Sequence, residues 1–195
     1  MTLQRTGVRF KRSRLAERSP RLETCHMRFE GHVYYDFSPQ VWRFYRFLAE
    51  AGKRGADLRL DWRSFLADDD PQSVAGLALV ETVRRVAPER HGVFLQALLA
   101  LRHIDGADLT DPRAAVAAAE AAGLSGVVEP SPHAVAASTE EGRALGVTGT
   151  PTIHRQGPVV RVEVNPAAYE GDVLERLSRI SAVMEDDGIW VLEKP

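Results

Sequence analysis

The chain has 195 residues, of which 44% are hydrophobic and 27% are charged, and its formal net charge is −2. This length and composition suit one globular domain, or a domain with an insertion, around a sizeable core. No apolar run approaches the ~18–20 residues that a membrane-spanning helix needs, so we predict no membrane partner.

Charge divides the chain into two parts. Residues 1–26 hold seven Lys or Arg and two Glu, which leaves the remainder with 18 basic and 25 acidic residues and a net charge of −7. This segment has no apolar stretch of the kind that a secretory signal requires. We interpret it as a flexible basic leader, with Met27 as an alternative start. The acidic remainder argues against nucleic acid as a partner.

The chain contains one cysteine, Cys25, and six histidines. A single thiol cannot form an intramolecular disulfide, and this composition is compatible with a reducing cytoplasm, which we predict as the location. The histidines lack the spacing of metal ligands, so we predict no metal site.

The first predicted elements are a strand over residues 32–37 and a helix that follows it directly. Aromatic and β-branched residues dominate the strand. Ser38-Pro39 then gives the cap and first-turn proline typical of a helix start. The helix has one apolar face, which consists of Val41, Phe44, Tyr45 and Leu48. Its N-terminus would present free N–H groups and a positive dipole end, a suitable place for a thiolate or another anion.

A second strand is predicted over residues 58–63, where Leu58, Leu60 and Trp62 alternate with polar residues. Asp70-Pro71 ends that region and begins a helical one, and residues 72–123 have a helical pattern throughout. Asp111-Pro112 and Ser131-Pro132 open two further helices, the second of which runs to residue 145. An all-helical block therefore follows the β-α-β start.

The last third of the chain begins with the sequence GVTGTPTI at residues 146–153. Short extended segments at 152–154 and 159–164 flank Gln156-Gly157-Pro158 and predict a hairpin. Asn165-Pro166 is predicted to cap a last helix, and residues 189–192 form a predicted terminal strand.

This order, β-α-β, helical insert and β-β-α, resembles the DsbA family, which has a thioredoxin-like α/β fold with an inserted helical domain. The implied parts are residues 27–67 and 146–195 for the two thioredoxin-like halves and 68–145 for the insert. GVTGTPTI resembles the cis-proline loop of that family. The resemblance implies a cis Thr150–Pro151 bond, in a loop that offers backbone partners to a thiol or an extended peptide.

Redox members of the DsbA family carry Cys-Pro-x-Cys where this chain has Ser38-Pro39-Gln40-Val41. Dithiol chemistry needs a thiolate that attacks and a second thiol that resolves the mixed disulfide. A serine hydroxyl is not acidic enough to ionise at neutral pH and forms no disulfide. We therefore predict no dithiol oxidoreductase activity.

Kappa-class glutathione transferases and 2-hydroxychromene-2-carboxylate isomerases share this fold and have Ser-Pro at the first helix, where the serine hydroxyl bonds the sulfur of glutathione. The resemblance implies Ser38 as the catalytic residue. It also implies Ser38, Thr150, Pro151 and Thr152 as the binding site for glutathione or mycothiol, with no covalent cofactor. Those families usually have two residues between the aspartate and the serine, whereas one, Phe37, separates Asp36 from Ser38 here.

Alternatives stay open at each of these positions. Ser38 is also explained as a simple helix cap, and the chain as a non-catalytic thioredoxin-like module that binds a peptide or protein. His103 is either an acid or base in the cleft or a polar helix-end residue. Two further sets of residues also have two interpretations each. One set is core or lines the cleft, namely the aromatic residues Trp42, Phe44, Tyr45 and Phe47. The other is a solvated surface or a ligand-binding site, namely the arginines Arg43, Arg46 and Arg63.

Overall fold

The structure is a computed structural model that describes residues 27–125, 128–155, 159–162 and 172–185. Four strands and six α-helices lie within these ranges, with one 3-10 turn at Pro88–Arg90 between the second and third helices. In chain order the elements are β1 Arg28–Tyr35, α1 Pro39–Lys53, β2 Asp57–Ser64, α2 Pro71–Val86, α3 His91–His103, α4 Pro112–Ala121, α5 Pro132–Ala144, β3 Thr152–His154, β4 Val159–Arg161 and α6 Val173–Glu185.

The strands form one mixed sheet in the order β2-β1-β3-β4. β1 pairs with β2 in parallel, and β3 pairs antiparallel with both β1 and β4. The parallel pair is joined through α1, as a crossover connection requires. This α/β topology, with α2 to α5 between its two halves, is the predicted thioredoxin-like fold with a helical insert.

Two main cores position the candidate site. Val33 of β1, Phe44 of α1 and Ile153 of β3 are fully buried in one core, which α6 completes. Tyr35 and Phe37 belong instead to the core of the helical insert, where α2 and α3 pack. The chain therefore passes from the sheet core into the insert core just before α1 begins.

β1 is longer at its start and shorter at its end than the predicted strand over 32–37. It ends at Tyr35, and in the turn that follows the Asp36 carboxylate accepts a hydrogen bond from the Ser38 N–H at 2.8 Å. Phe37 is fully buried against the insert rather than in the strand ladder. The alternation of apolar residues continues to Phe37 because that residue is buried in a turn. An alternating pattern alone does not distinguish a buried turn residue from a strand residue.

The prediction of helix throughout residues 72–123 was wrong at 104–111, where the structure has a loop between α3 and α4. Gly106 adopts a φ of 66°, in the left-handed region that ends helical geometry. Asp70 and Asp111 cap α2 and α4 as predicted, since their carboxylates accept hydrogen bonds from the N–H groups of Ser73 and Arg113.

Several sequence predictions lie outside the described residues: the leader 1–26, the turn at 156–158, the cap Asn165-Pro166 and the strand 189–192. The described part of the last helix begins at Val173, after Asp172, whose carboxylate accepts hydrogen bonds from the N–H groups of Leu174 and Glu175. Within the described residues, no helix has the length and apolarity to cross a membrane.

Candidate functional site

Ser38 is the N-cap of α1, as the sequence predicts. The Val41 N–H donates to the Ser38 Oγ over 3.5 Å, a distance at the long limit of hydrogen bonding. The hydroxyl is only an acceptor in this contact, so its own hydrogen is free to be donated. Ser38 is half-buried. It therefore combines a weak capping contact with a donor at the positive end of the helix.

Asp36 places a negative charge next to Ser38. Its carboxylate is buried, with 3% of the residue exposed, and accepts a hydrogen bond from the Ser38 N–H at 2.8 Å. The one-residue spacing between Asp36 and Ser38 permits this contact, because Asp side chains readily bond the backbone two residues on. The carboxylate therefore occupies one N–H group at the start of α1, and its negative charge disfavours the binding of a second anion there.

Two hydrogen bonds hold the loop 149–152, one within the loop and one from Val162 after β4. The Thr152 hydroxyl donates to the Gly149 carbonyl at 2.6 Å, and the Val162 N–H donates to the Pro151 carbonyl at 3.0 Å. The Thr150–Pro151 bond is cis, the geometry that the family resemblance implies. Thr150 and Thr152 are 6% and 1% exposed.

The buried side chains of this loop limit the ways in which it can contact a ligand. Because the Thr152 hydroxyl already donates its hydrogen within the loop, that hydrogen is not available to a ligand. Among the described residues, none forms a hydrogen bond with the N–H or carbonyl of Thr150.

The sheet register puts Ser38 and this loop at the same edge. Tyr34 pairs with Thr152 in antiparallel fashion, so the chain that enters β3 passes the end of β1. Residues 36–38 continue beyond that end of β1, and residues 149–151 lead into the paired end of β3. Open α/β sheets commonly bind ligands at the carboxyl ends of their parallel strands, which is this edge.

The predicted aromatic set divides between the sheet core and a partly buried surface of α1. Phe44 and Phe47 are buried in the sheet core. Trp42 and Tyr45 are only partly buried, and their rings stack at 6.2 Å with an interplanar angle of 8°. The guanidinium of Arg46 lies 5.9 Å from the centre of the Trp42 ring. Trp42 and Tyr45 thus form an aromatic surface on the first two turns of α1.

His103 lies against this surface from the insert. Its Nε2 is 3.1 Å from the Phe37 carbonyl oxygen, and its ring stacks on Trp42 at 5.8 Å and 12°. Burial lowers the pKa of His103 and Arg102 adds to that effect, while the Phe37 contact and Asp36 oppose it. The sequence marked His103 only by its place near a helix end, and nothing in its spacing indicates the contact with Phe37.

The three arginines singled out in the sequence do not form one set. Arg63 projects from the sheet face opposite Val33, where it pairs with Asp61 at 2.7 Å and Glu141 at 3.8 Å. α1 packs on the Val33 face, so the sheet separates Arg63 from Arg46. Among the described residues, no group of three or more His, Cys, Asp or Glu is arranged to hold a metal ion.

Comparison with solved structures identifies the fold. A periplasmic thioredoxin-like protein from Salmonella enterica serovar Typhimurium is 19% identical, with 79% of this chain and 87% of that chain covered and a TM-score of 0.55. ScsC of Proteus mirabilis in a compact conformation is 15% identical, with 80% and 81% covered and a TM-score of 0.58. Reduced DsbA1 from Neisseria meningitidis is 15% identical, with 81% and 83% covered and a TM-score of 0.52.

No protein-family model and no curated protein matches this sequence. At these identities the likeness to solved structures establishes the fold: the chain has the DsbA-like thioredoxin fold, with its helical insert.

Proposed function

We propose that this chain binds a low-molecular-weight thiol, glutathione or mycothiol, at the N-terminus of α1 and uses it in a transferase or isomerase reaction. The observation that carries the proposal is the Ser38 hydroxyl, half-buried at the helix N-cap with its hydrogen uncommitted. A hydroxyl that donates to sulfur, together with the positive end of a helix dipole, favours the thiolate over the thiol.

In the proposed reaction, the residue before α1 and the loop before β3 both contact the ligand. Ser38 would donate its hydroxyl hydrogen to the ligand sulfur, while the main chain of Thr150 would bond the peptide-like part of the ligand. The Trp42 and Tyr45 rings would supply apolar contact beside the sulfur. Dithiol–disulfide exchange is excluded from the proposal, because Ser38 and Val41 stand where two thiols would be needed.

A second candidate is a non-catalytic module that binds an extended peptide. The buried Asp36 carboxylate beside Ser38 favours it, because that charge opposes a thiolate and does not oppose a neutral peptide. Such a module would use the Thr150 main chain and the aromatic surface and would not need the Ser38 hydroxyl.

A thermal-shift comparison separates the two candidates. Glutathione and mycothiol are each added, with S-methylglutathione as the control that keeps the peptide and lacks the thiol hydrogen. A thiol at 100 times its Kd stabilises the folded chain by about 2.7 kcal/mol. The thiol-dependent function predicts a rise in Tm with at least one free thiol and a smaller one with the S-methyl control. No rise with any thiol, or an equal rise with the control, would contradict it.

The cytoplasm is the location we propose for this reaction, on the basis of the single cysteine and the abundance of small thiols in reducing compartments. Localisation of a tagged full chain by cell fractionation tests this, and recovery with periplasmic or secreted markers would refute it.

A further inference from the structure

His103 reaches the entrance of α1 from the end of α3, a different part of the chain. Its Nε2 lies 3.1 Å from the Phe37 carbonyl oxygen. A carbonyl oxygen only accepts hydrogen bonds, so Nε2 must carry the hydrogen in this contact. In the neutral ring the lone pair is then on Nδ1. Nδ1 has no hydrogen-bond partner among the described residues and is not sealed from solvent.

Two contacts fix the ring over the first turn of α1. One is to Phe37, which directly precedes Ser38, and the other is the stack on Trp42 at 5.8 Å. Trp42 is four residues after Ser38, and the main-chain N–H of Trp42 donates to the Ser38 carbonyl at 3.2 Å. Residues four apart lie on the same face of a helix, one above the other. His103 therefore lies beside the N-terminus of α1, between the residue that precedes Ser38 and the first turn that follows it.

Burial and the nearby charges keep the His103 ring unprotonated in the free chain and act on its imidazolium in opposite directions. Burial lowers the pKa of His103, helped by the Arg102 guanidinium on α3, so the ring is neutral and able to accept a proton at neutral pH. Asp36, in the turn before α1, acts in the opposite direction and stabilises an imidazolium once it forms. Among the described residues, these two charged groups act on the ring from the elements around it.

We infer that His103 is the base that takes the proton of a thiol bound at Ser38. The S–H bond breaks, the proton passes to Nδ1, and the electron pair stays on sulfur. The resulting thiolate accepts a hydrogen bond from the Ser38 hydroxyl. Nε2 keeps its hydrogen and donates it to the Phe37 carbonyl oxygen throughout. The imidazolium then offsets one of the two negative charges, those of the thiolate and Asp36, which reduces the repulsion that the buried carboxylate creates. This inference rests on the proposed function and names a base for it.

The test compares His103→Gln with the wild type. Glutamine retains an N–H donor for the Phe37 carbonyl but has no basic nitrogen, so a purely structural role should survive the change. The readout is the thiolate absorbance of bound glutathione as a function of pH. Loss of a neighbouring cation should raise the apparent pKa of the bound thiol by about 1 unit or more. His133→Gln, at an exposed position on α5, is the control and should leave the pKa unchanged.

An equal thiol pKa in His103→Gln and wild type would overturn the inference while leaving thiol binding at Ser38 intact. Absence of glutathione and mycothiol binding by the wild type would overturn the proposed function itself. One readout needs no ligand: nitrogen NMR of the free chain at neutral pH should show His103 neutral with hydrogen on Nε2. A protonated ring or the opposite tautomer would also overturn the inference.

Discussion

Replacing Gly76 of α2 tests how tightly the insert holds the turn before α1. A Cβ at Gly76 would lie 2.6 Å from Cε2 and 2.8 Å from Cδ2 of Phe37, and 3.0 Å from Cδ1 of Leu109. Phe37 is fully buried and packs edge-on against Tyr35 at 6.3 Å, so relief of the overlap requires a shift within the core. We expect Gly76→Ala to overpack this contact, at a cost of about 1–3 kcal/mol.

The substitution also removes a flexible residue from a helix, which by itself stabilises by about 0.5–1 kcal/mol. Gly92→Ala in α3 is the matched control, because nothing lies within 4 Å of a Cβ built there. The two variants share the gain from alanine and differ in the overpacking. We therefore predict that Gly76→Ala unfolds in urea with a free energy about 1–3 kcal/mol below that of Gly92→Ala. Equal stabilities would refute the packing argument.

Two further outcomes follow from the charges and from the missing thiols. Burial acts to raise the pKa of Asp70, but hydrogen bonds from Ser73 and Arg102 outweigh it, and the pKa is lowered from 3.8. The resulting stability is present above the unfolded-state pKa and is lost as the pH falls through the folded-state value. Arg102→Gln should therefore reduce the loss of unfolding free energy between neutral and acidic pH, and an unchanged loss would contradict the assignment. We also expect no insulin reduction by the full chain, and activity that persists in Cys25→Ser would contradict the argument from the absent thiols.

The fold was largely predictable because its signals are local. Ser38-Pro39, Asp70-Pro71 and Asp111-Pro112 each mark a helix start, and the structure begins α1, α2 and α4 at those prolines. The sequence predictions that were wrong concern residues whose structure depends on tertiary contacts. Phe37 continues the strand pattern in sequence, yet it belongs to the insert core.

The candidate site was predictable only in part. Its location follows from the strand-to-helix junction at Ser38 and from the residues around Pro151, both visible in the sequence. The contact between His103 and Phe37 joins residues 66 positions apart, and no periodicity within either segment indicates it. The separation of Arg63 from Arg46 likewise depends on the sheet face, which only the strand register reveals.

The most direct test of the account measures glutathione or mycothiol affinity and unfolding free energy on Ser38→Ala. Ser131→Ala is the control, because Ser131 caps α5 without a side-chain hydrogen bond. If Ser38 holds the ligand sulfur, the affinity should fall by about 1–2 kcal/mol for one lost hydrogen bond to a charged group. The control should bind as tightly as the wild type. If Ser38→Ala costs about 1 kcal/mol of folding stability and leaves the affinity unchanged, Ser38 is only a helix cap and the thiol-dependent function is wrong.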